Sequence, residues 1–261
     1  MDSPSVVVVT GAAGDIGMAI AGRFADRNAR IVLCDRLADA LRQRVASHPR
    51  RDQLEWHEVE LTDPAQVKSF IAGAIKRHGR VDVLVNNAAK QHDGDVATAS
   101  EADFEEAFAI HMRAPFLLSK AVVPGMKAAG GGAIVNISTV HAQAVGPGRL
   151  AYAATKAGLL GMTRSMAVDL GRHNIRVNAV IPTAIRTSGL LKAWTEDRDP
   201  EKKGVSRLYD HAAKQHPMRR IGEADEVAEL VEFLATCRFV TGEEIRVDGG
   251  ILAALRLLPI D

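Results

Sequence analysis

The sequence predicts an α/β protein built as one domain, with a doubly wound parallel sheet and helices on both faces. Apolar runs of strand length alternate with segments of helical periodicity along the chain. The first run, residues 6–9, is entirely β-branched, which is typical of a central parallel strand buried on both faces. A glycine-rich turn follows this run directly, and no linker interrupts the alternation, so a single domain over residues 1–261 is expected.

The predicted elements follow one another in a regular order. Strands are expected at residues 6–9, 31–34, 54–61, 81–85, 133–137, 176–181 and 244–247. Helices are expected at residues 18–27, 64–78, 100–127 and 224–235, and another should carry Tyr152 and continue towards residue 170. Parallel strands joined by such crossovers place ligand sites at the carboxyl ends of the strands.

Composition and charge narrow the set of partners. The 261 residues carry a formal net charge of +1 with the two signs interspersed, so neither nucleic acid nor a membrane surface is an expected partner. Cys34 and Cys237 stand far apart, which argues against a disulfide framework or a structural zinc site. No apolar run approaches ~20 residues and no basic segment precedes residue 6, so we expect a cytoplasmic protein.

The turn at residues 10–17 reads Thr-Gly-Ala-Ala-Gly-Asp-Ile-Gly. Glycines here allow positive φ and let backbone N–H groups approach a diphosphate at the positive end of a helix, although a simple tight turn is the alternative. The second strand ends on Asp35, which can accept both hydrogen bonds from an adenosine ribose and would repel a 2′-phosphate. NAD is therefore favoured over NADP, unless the adjacent Arg36 offsets the repulsion.

Tyr152 and Lys156 are four residues apart, so on a helix their side chains share a face. An ammonium beside a phenol favours the phenolate, and the positive ring of an oxidised nicotinamide would add to this effect. Tyr152 could then exchange a proton with an alcohol or a ketone near neutral pH. An ordinary, partly exposed helix pair is the alternative interpretation.

Six motifs in combination resemble the short-chain dehydrogenase/reductase family, and the likeness extends over residues 6–250. They are the turn at residues 10–17, Asp35, Asn86-Asn87-Ala88, Tyr152-x-x-x-Lys156, the segment 176–182, and Thr241-Gly242 with residues 247–250. The resemblance implies a Rossmann-type fold and an NAD-dependent oxidoreductase that moves a hydride between the cofactor and a secondary alcohol or ketone.

The resemblance also implies roles for individual residues. Tyr152 would be the acid/base, Lys156 its electrostatic partner, and Thr139 the hydroxyl that orients the substrate oxygen, with Ser138 beside it as the alternative. His111 would occupy the position of a proton relay. The implied cofactor contacts are Gly11, Asp15, Ile16, Gly17, Asp35, Arg36, Glu60, Leu61, Asn87, Ala88, Tyr152, Lys156, Ile185 and Thr187.

Four residues depart from the family pattern. Asp15 replaces a glycine and brings a carboxylate near the phosphates, unless it faces solvent or accepts helix N–H bonds. His111 replaces an asparagine that holds a relay water; the histidine could serve the relay, titrate near pH ~6.5, or only pack. Ala89 and Thr183 replace glycines and tighten the backbone at those positions.

Three histidines and one long segment invite further interpretation. His92, His111 and His141 could approach the pocket, but they lack metal-ligand spacing, so no metal is expected. Residues 187–217 correspond to the segment that covers the substrate in the resembled family, and a segment of this length is expected to act as a closing lid.

The sequence thus predicts an active dehydrogenase or reductase of a small-molecule alcohol or carbonyl substrate. The alternative is a catalytically impaired family member that serves as a cofactor-binding scaffold or sensor; the retained Tyr152, Lys156 and hydroxyl at residue 139 favour the enzyme. Apolar residues around helices 100–127 and 152–170, and the apolar tail from residue 251, predict a homotetramer, with a dimer as the fallback and the tail at or near a subunit interface.

Overall fold

The computed structural model describes residues 5–196 and 205–254 of the chain. Its strands are β1 (Val6–Thr10), β2 (Arg30–Asp35), β3 (Leu54–Glu58), β4 (Val83–Asn86), β5 (Gly132–Ile137), β6 (Ile175–Pro182), β7 (Ile185–Arg186), β8 (Gly222–Glu223) and β9 (Glu244–Val247). One seven-stranded sheet has the order β3-β2-β1-β4-β5-β6-β9, and β7 and β8 form a small separate pair. All strand pairs in the large sheet are parallel, as the sequence predicts.

Helices cover both faces of the sheet. They are α1 (Asp15–Asp26), α2 (Ala38–Ser47), α3 (Pro64–His78), α4 (Glu101–Phe108), α5 (Ala114–Ala128), α6 (Leu150–Leu170), α7 (Ser188–Glu196), α8 (Val205–Gln215) and α9 (Ala224–Thr236). Side chains of α1, α2 and α9 pack into the core on one face, and those of α3, α5 and α6 pack into the core on the other. None of the helices in the described part of the chain is long and apolar enough to cross a membrane.

Strand β1 shows why the first apolar run is continuous. Val7 and Val9 belong to one core, whereas Val6 and Val8 belong to the core on the opposite face of the sheet. Because successive side chains of a strand point to opposite faces, a strand covered on both sides needs apolar residues at every position. The β-branched run therefore places β1 at the centre of the sheet, between β2 and β4.

The strand order reverses beside β1, since the chain moves outward to β2 and β3 and then returns to β4 on the other side. Helix α1, which follows β1, and helix α5, which follows β4, pack on opposite faces of the sheet, and such a reversal places a crevice at the carboxyl ends of the strands. Thr10, Asp35, Asn86 and Ile137 end their respective strands at this edge. The topology therefore gathers the motif residues at one edge of the sheet.

The helix predicted at residues 100–127 is divided in two. Helix α4 ends at Phe108, a π-helical turn spans Ala109–Arg113, and α5 follows. Pro115 has no N–H to offer the carbonyl four residues earlier, that of His111, so the α-helical ladder cannot continue there. The N–H of Ala114 instead bonds to the carbonyl of Ala109, five residues back. This wide turn carries His111 into the protein interior, where its side chain is 0% exposed.

Other elements differ from the prediction. Helix α2 has no predicted counterpart, and its signal is the buried pair Leu41 and Val45, spaced four residues apart. The strand predicted at residues 54–61 ends at Glu58. The predicted lid segment 187–217 contains α7 and α8, and its charged residues 197–203 lie outside the described part of the chain. The apolar tail that begins at residue 251 is described only as far as residue 254.

Candidate active site

The glycine turn between β1 and α1 is packed against the chain that leaves β4. Gly11 has a φ of 66°, and a Cβ atom on it would lie 2.6 Å from the Cα of Ala88. A Cβ atom on Gly17 would lie 2.7 Å from the Gly11 carbonyl oxygen. The Asn87 side-chain amide donates to the carbonyls of Thr10 (2.8 Å) and Gly11 (3.1 Å). Glycine is therefore needed at both positions, and the hydrogen bonds of Asn87 stabilise the turn.

A cleft of about 400 Å³ opens beside this turn. It brings together six of the predicted cofactor residues, namely Gly11, Asp35, Arg36, Glu60, Leu61 and Ala88. The Asp35 carboxylate accepts the N–H groups of Ala13 and Leu37, each at 3.0 Å, which ties the end of β2 to the glycine turn. A carboxylate oxygen can accept more than one hydrogen bond, so Asp35 retains acceptor capacity towards a ribose.

Asp15, the first residue of α1, has a carboxylate that is held by two partners. One oxygen of its carboxylate accepts the backbone N–H (2.6 Å) and the hydroxyl (2.8 Å) of Ser188, and the other accepts an Arg44 N–H (2.6 Å). Burial by itself raises the pKa of Asp15, but the hydrogen bonds from Ser188 and Arg44 outweigh it and hold the pKa below its usual value. The carboxylate thus links the cofactor turn to the first residue of α7.

The Thr139 hydroxyl accepts the backbone N–H of His141 (3.3 Å) and lies close enough to the Tyr152 side chain to favour its phenolate form. The neighbouring Ser138 is committed elsewhere, because its buried hydroxyl donates to the Lys156 carbonyl at 3.0 Å. In the chain by itself, burial raises the pKa of Tyr152, and the opposing influences are the Thr139 hydroxyl and the positive charge of Arg149. The lowering of this pKa by Lys156 together with the nicotinamide ring stays a prediction.

Lys156 lies one helical turn beyond Tyr152 and is 1% exposed. Its ammonium donates to the Ile137 carbonyl at 2.7 Å and lies 5.9 Å from the centre of the Tyr152 ring. Burial lowers the pKa of Lys156 to about 7. The site therefore contains an amine that is only partly protonated at neutral pH and that a polar ligand would help to charge.

His111 lies against Tyr152 with its ring centre 5.4 Å away. Its Nε2 accepts the backbone N–H of Lys90 (3.2 Å), and its Nδ1 lies 2.9 Å from the Thr155 hydroxyl. That hydroxyl donates its one hydrogen to the Ala151 carbonyl (2.7 Å), so Nδ1 must be the donor to Thr155.

The ring of His111 is consequently a neutral imidazole with both nitrogens engaged. Burial and the charge of Lys156 lower the pKa of His111 to about 2. The expectation that His111 titrates near neutral pH is therefore wrong, whereas its place in a proton relay stays a prediction. Its contacts make it a positioning residue that joins the π-helical turn to α6.

The three histidines do not converge on a common point in the described structure. His92 approaches Asp103 and Glu106 instead, with potential ligand atoms within 4.8 Å of one another. The Glu106 carboxylate is already engaged, because the Lys90 ammonium lies 2.6 Å and His92 Nε2 lies 2.9 Å from the same oxygen. The Lys90 ammonium already balances the charge of the Glu106 carboxylate, so this cluster gives no support to a metal site. The absence of a metal stays a prediction.

The remaining predicted cofactor residues lie around the start of α7 and on α1. Ile185 is buried in β7, and the Thr187 hydroxyl accepts the N–H of Leu190 at 3.1 Å, so it caps the first turn of α7. Ile16 is half-buried and packs against the core beneath α1. Thr183, which stands at a family glycine, has a hydroxyl 3.1 Å from Nε2 of the buried His216. Thr183 therefore connects the end of β6 to the end of α8.

These features fit a dinucleotide cofactor. The glycine turn leaves no room for side chains at Gly11 and Gly17, the helix α1 begins at the turn, and an acid ends the neighbouring strand β2. Gly11, Ile16 and Gly17 would hold the diphosphate, Asp35 the adenosine ribose, and Lys156 the second ribose. Tyr152, Thr139 and Lys156 stand at the other end of the same crevice, where an alcohol could meet the cofactor.

Comparisons with known proteins agree with this assignment. A family profile described as Enoyl-(Acyl carrier protein) reductase matches residues 11–252. An uncharacterized oxidoreductase of Thermotoga maritima is 37% identical, covering 95% of this chain and 97% of the relative. Trans-4-hydroxycyclohexanecarboxylate dehydrogenase of Sinomonas cyclohexanicum is 34% identical, covering 97% of this chain and 94% of the relative. The crystal structure of L-sorbose reductase from Gluconobacter frateurii with NADPH and L-sorbose has a TM-score of 0.90 at 28% identity, covering 97% and 98% of the two chains.

The fold and the site define an oxidoreductase of the nicotinamide-dependent class. The chain belongs to the short-chain dehydrogenase/reductase family, as its motifs predict.

Sequence reasoning did not identify four residues that shape the site. Arg44 pairs with Asp15, Lys90 pairs with Glu106 and supports His111, and Thr155 fixes the tautomer of His111. Arg149 is a buried cation three residues before Tyr152. Of these four residues, only Arg149 could have been identified from the sequence, because an arginine three residues before Tyr152 lies on the same helical face.

Proposed function

We propose that the protein is a NAD-dependent dehydrogenase of secondary alcohols, or the corresponding carbonyl reductase. The observation that carries this proposal is that the Tyr152 phenol, the Thr139 hydroxyl and the buried Lys156 ammonium lie together at the carboxyl end of β5. These side chains together offer a proton donor and acceptor, a hydroxyl for the substrate oxygen, and a cation.

The chain's own residues would divide the chemistry as follows. In oxidation, the Thr139 hydroxyl holds the substrate oxygen while the Tyr152 oxygen takes the alcohol proton; in reduction, Tyr152 returns that proton to the carbonyl oxygen. Lys156 binds the cofactor ribose and favours the phenolate once it is charged. NAD, when bound, accepts the hydride from the carbinol carbon or returns it. His111 holds the π-helical turn against α6 through its bonds to Lys90 and Thr155.

The preference for NAD rests on Asp35. Its carboxylate ends β2 at the adenosine end of the cleft, where a 2′-phosphate would meet a like charge. Arg36 lines the same cleft and is the group that would favour NADP. The L-sorbose reductase structure contains NADPH, so the proposed preference of this chain for NAD rests on Asp35 and Arg36 alone.

We also propose that residues 187–217 act as a substrate lid. Asp15 holds Ser188 at the start of α7, and Thr183 contacts His216 just after α8. Helices α7 and α8, which lie between these two contacts, would move together over the cleft and pivot at the contacts.

A substrate screen tests the function. Purified protein is incubated with NAD and with a panel of sugars, polyols, hydroxy acids, cyclic alcohols and steroids, and NADH formation is followed; the matching ketones are tested with NADH. We expect at least one class to be turned over, and we expect Thr139→Val to reduce that turnover more than Ser138→Ala. Binding of NADH without turnover of any alcohol or ketone would instead favour the scaffold or sensor alternative.

A further inference from the structure

The chain that leaves β6 runs along the crevice in which the cofactor would lie. Before this segment, the N–H of Ser138, just beyond β5, donates to the carbonyl of Val180 in β6 at 2.8 Å. After it, the Asp15 carboxylate at the start of α1 accepts the N–H of Ser188 at 2.6 Å. The connecting segment, residues 183–187, therefore joins the candidate catalytic side chains to the glycine turn, and it would flank the half of a dinucleotide that carries the nicotinamide.

Both backbone and side-chain contacts hold the connecting segment. The N–H of Gly222 donates to the Ala184 carbonyl at 3.0 Å, and β7 pairs with β8 directly afterwards. The first residue, Thr183, is half-buried, and its N–H donates to the Val247 carbonyl at the longer distance of 3.3 Å. The Thr183 side chain supplies a further contact at this end, because its hydroxyl lies 3.1 Å from Nε2 of His216.

The ring of His216 is held by both of its nitrogens. The residue is 2% exposed, and its Nδ1 lies 2.7 Å from the carbonyl oxygen of Ala212. A carbonyl oxygen can only accept, so Nδ1 carries the hydrogen, and in the neutral ring Nε2 then accepts the O–H of Thr183. Removal of the Thr183 hydroxyl would leave a buried acceptor without its bond, which costs more than the loss of a hydrogen bond at the surface.

The backbone that follows β9 keeps His216 in place. A Cβ atom on Gly249 would lie 3.3 Å from Cδ2 of His216, and one on Gly250 would lie 3.1 Å from Cγ of Pro217. The N–H of Met218 also donates to the Gly249 carbonyl at 3.3 Å. His216 is therefore packed against the chain that leaves the large sheet, and its bond to Thr183 attaches the connecting segment to a fixed point.

We propose that His216 is a positioning residue for the cofactor: through the Thr183 hydroxyl it holds the connecting segment in the conformation that receives the nicotinamide ring. This inference rests on the proposed function and adds to it a residue that touches neither cofactor nor substrate. Thr183 stands at a family glycine, which offers no hydroxyl, so this support depends on the pair of side chains present in this chain. Because His216 directly follows α8, the same bond couples nicotinamide binding to the position of that helix.

The test compares NADH with ADP-ribose, which lacks the nicotinamide ring. Fluorescence titration gives the dissociation constant of NADH, and calorimetry gives that of ADP-ribose. The ratio of the ADP-ribose constant to the NADH constant, called here the NADH preference, measures what the nicotinamide contributes to binding. A general loss of folded protein or of the adenosine site cancels from this ratio. We expect the wild-type protein to bind NADH more tightly than ADP-ribose.

Two substitutions break the proposed contact from its two sides. Thr183→Val removes the hydroxyl with little change of shape, and His216→Asn removes the acceptor, because an asparagine side chain reaches only as far as Nδ1. Each should reduce the NADH preference by about 3- to 10-fold, the effect of one neutral hydrogen bond. The double variant should show no further reduction, since each single substitution already breaks the bond.

Conservative variants and a control on the same helix complete the set. Thr183→Ser keeps the hydroxyl and His216→Gln keeps an acceptor at the reach of Nε2, so both should retain most of the NADH preference. His211→Asn, at an exposed histidine of α8 that contacts Gln215, should behave as the wild type.

An NADH preference that is unchanged in Thr183→Val, or an equal loss of affinity for NADH and ADP-ribose, overturns the inference, because the contact then serves folding alone. A wild-type protein that binds NADH no better than ADP-ribose contradicts it as well. If His216→Asn does not fold, the Thr183 variants decide, since that side chain is only half-buried. Turnover tests the proposed function separately: if the expected shifts occur but no alcohol or ketone is converted, the inference stands and the dehydrogenase assignment fails.

Discussion

Tyr152 is the residue on which turnover should depend. Tyr152→Phe keeps the ring between His111 and His141 but removes the phenolic oxygen that would exchange a proton with the substrate. We expect NADH binding to persist and turnover to fall by at least ~10²-fold, the low end for general acid–base catalysis. Fluorescence titration of NADH and steady-state kinetics measure the two quantities. Wild-type turnover of any good substrate by this variant would disprove the assignment.

Asp35 should set cofactor choice. The wild-type protein should show a higher kcat/KM with NAD than with NADP, and Asp35→Ala should narrow the gap because the like charge facing the 2′-phosphate is removed. Arg36→Ala is the matched variant, and it should widen the gap. A wild-type preference for NADP would mean that Arg36 outweighs Asp35.

His111 should make the protein sensitive to acid. Its pKa in the folded chain is about 2 against 6.5 for an ordinary histidine, so between these values the unfolded chain binds more protons than the folded one. The contribution of His111 to the free energy of unfolding is therefore fully present above pH 6.5 and is lost as the pH falls towards 2. Below pH 6.5, the free energy of unfolding should fall by about 1.4 kcal/mol for each pH unit.

His111→Asn should therefore flatten the decline in unfolding free energy between about pH 7 and about pH 5, as measured by urea denaturation. His211→Asn is the control, because His211 is an exposed histidine of α8 that contacts Gln215. If the two variants decline in parallel with the wild type, His111 is not held neutral as its contacts indicate.

At the scale of elements, Asp15 couples the start of α1 to the start of α7. Asp15→Ala and Ser188→Ala each remove part of the same contact, so a double-mutant cycle should show a coupling of about 0.5–3 kcal/mol in unfolding free energy. Only Asp15→Ala removes a negative charge near the glycine turn, so only this variant should bind NADH more tightly, most clearly at low salt. Additive effects of the two substitutions would show that the hydroxyl bond of Ser188 contributes nothing to this contact, since Ser188→Ala leaves the backbone N–H bond in place.

The π-helical turn between α4 and α5 has a cause in the local sequence. Pro115 prevents the regular ladder, and the resulting π-helical turn brings His111 under Tyr152. The helical periodicity of residues 100–127 predicts helix throughout, but the register of its inward side chains depends on one missing N–H. The proline is visible in the sequence, whereas the direction in which His111 turns is not.

For the whole molecule, the exposed apolar residues support the expected assembly into a homotetramer. Phe104 and Phe108 on α4, Phe116 on α5 and Val168 on α6 are all exposed in the described chain, at 41%, 45%, 49% and 82%. Closed symmetry would allow copies of these helices to cover one another. Light scattering at micromolar concentration should give the mass of a tetramer, or of a dimer as the fallback, and a full-length monomer would contradict this.

Phe108→Glu combined with Phe116→Glu should then lower the mass, because charged side chains cannot be buried unpaired in the interface. Leu37→Glu, at an exposed apolar residue near the opposite edge of the sheet, is the control. A chain ending at Gly250 tests the tail separately, and unchanged mass with unchanged melting would place the tail away from the interface.

The sequence by itself determined the sheet, its helical layers and the spacing of Tyr152 and Lys156, because strand and helix periodicities are local properties of neighbouring residues. It left open what Ser138 and Asp15 contact and whether His111 titrates. Tertiary structure decided these points through partners distant in the chain: Ser188 lies 173 residues from Asp15, and Thr155 lies 44 residues from His111. Charge state and hydrogen-bond partner depend on burial and on groups brought together by folding, so local spacing cannot specify them.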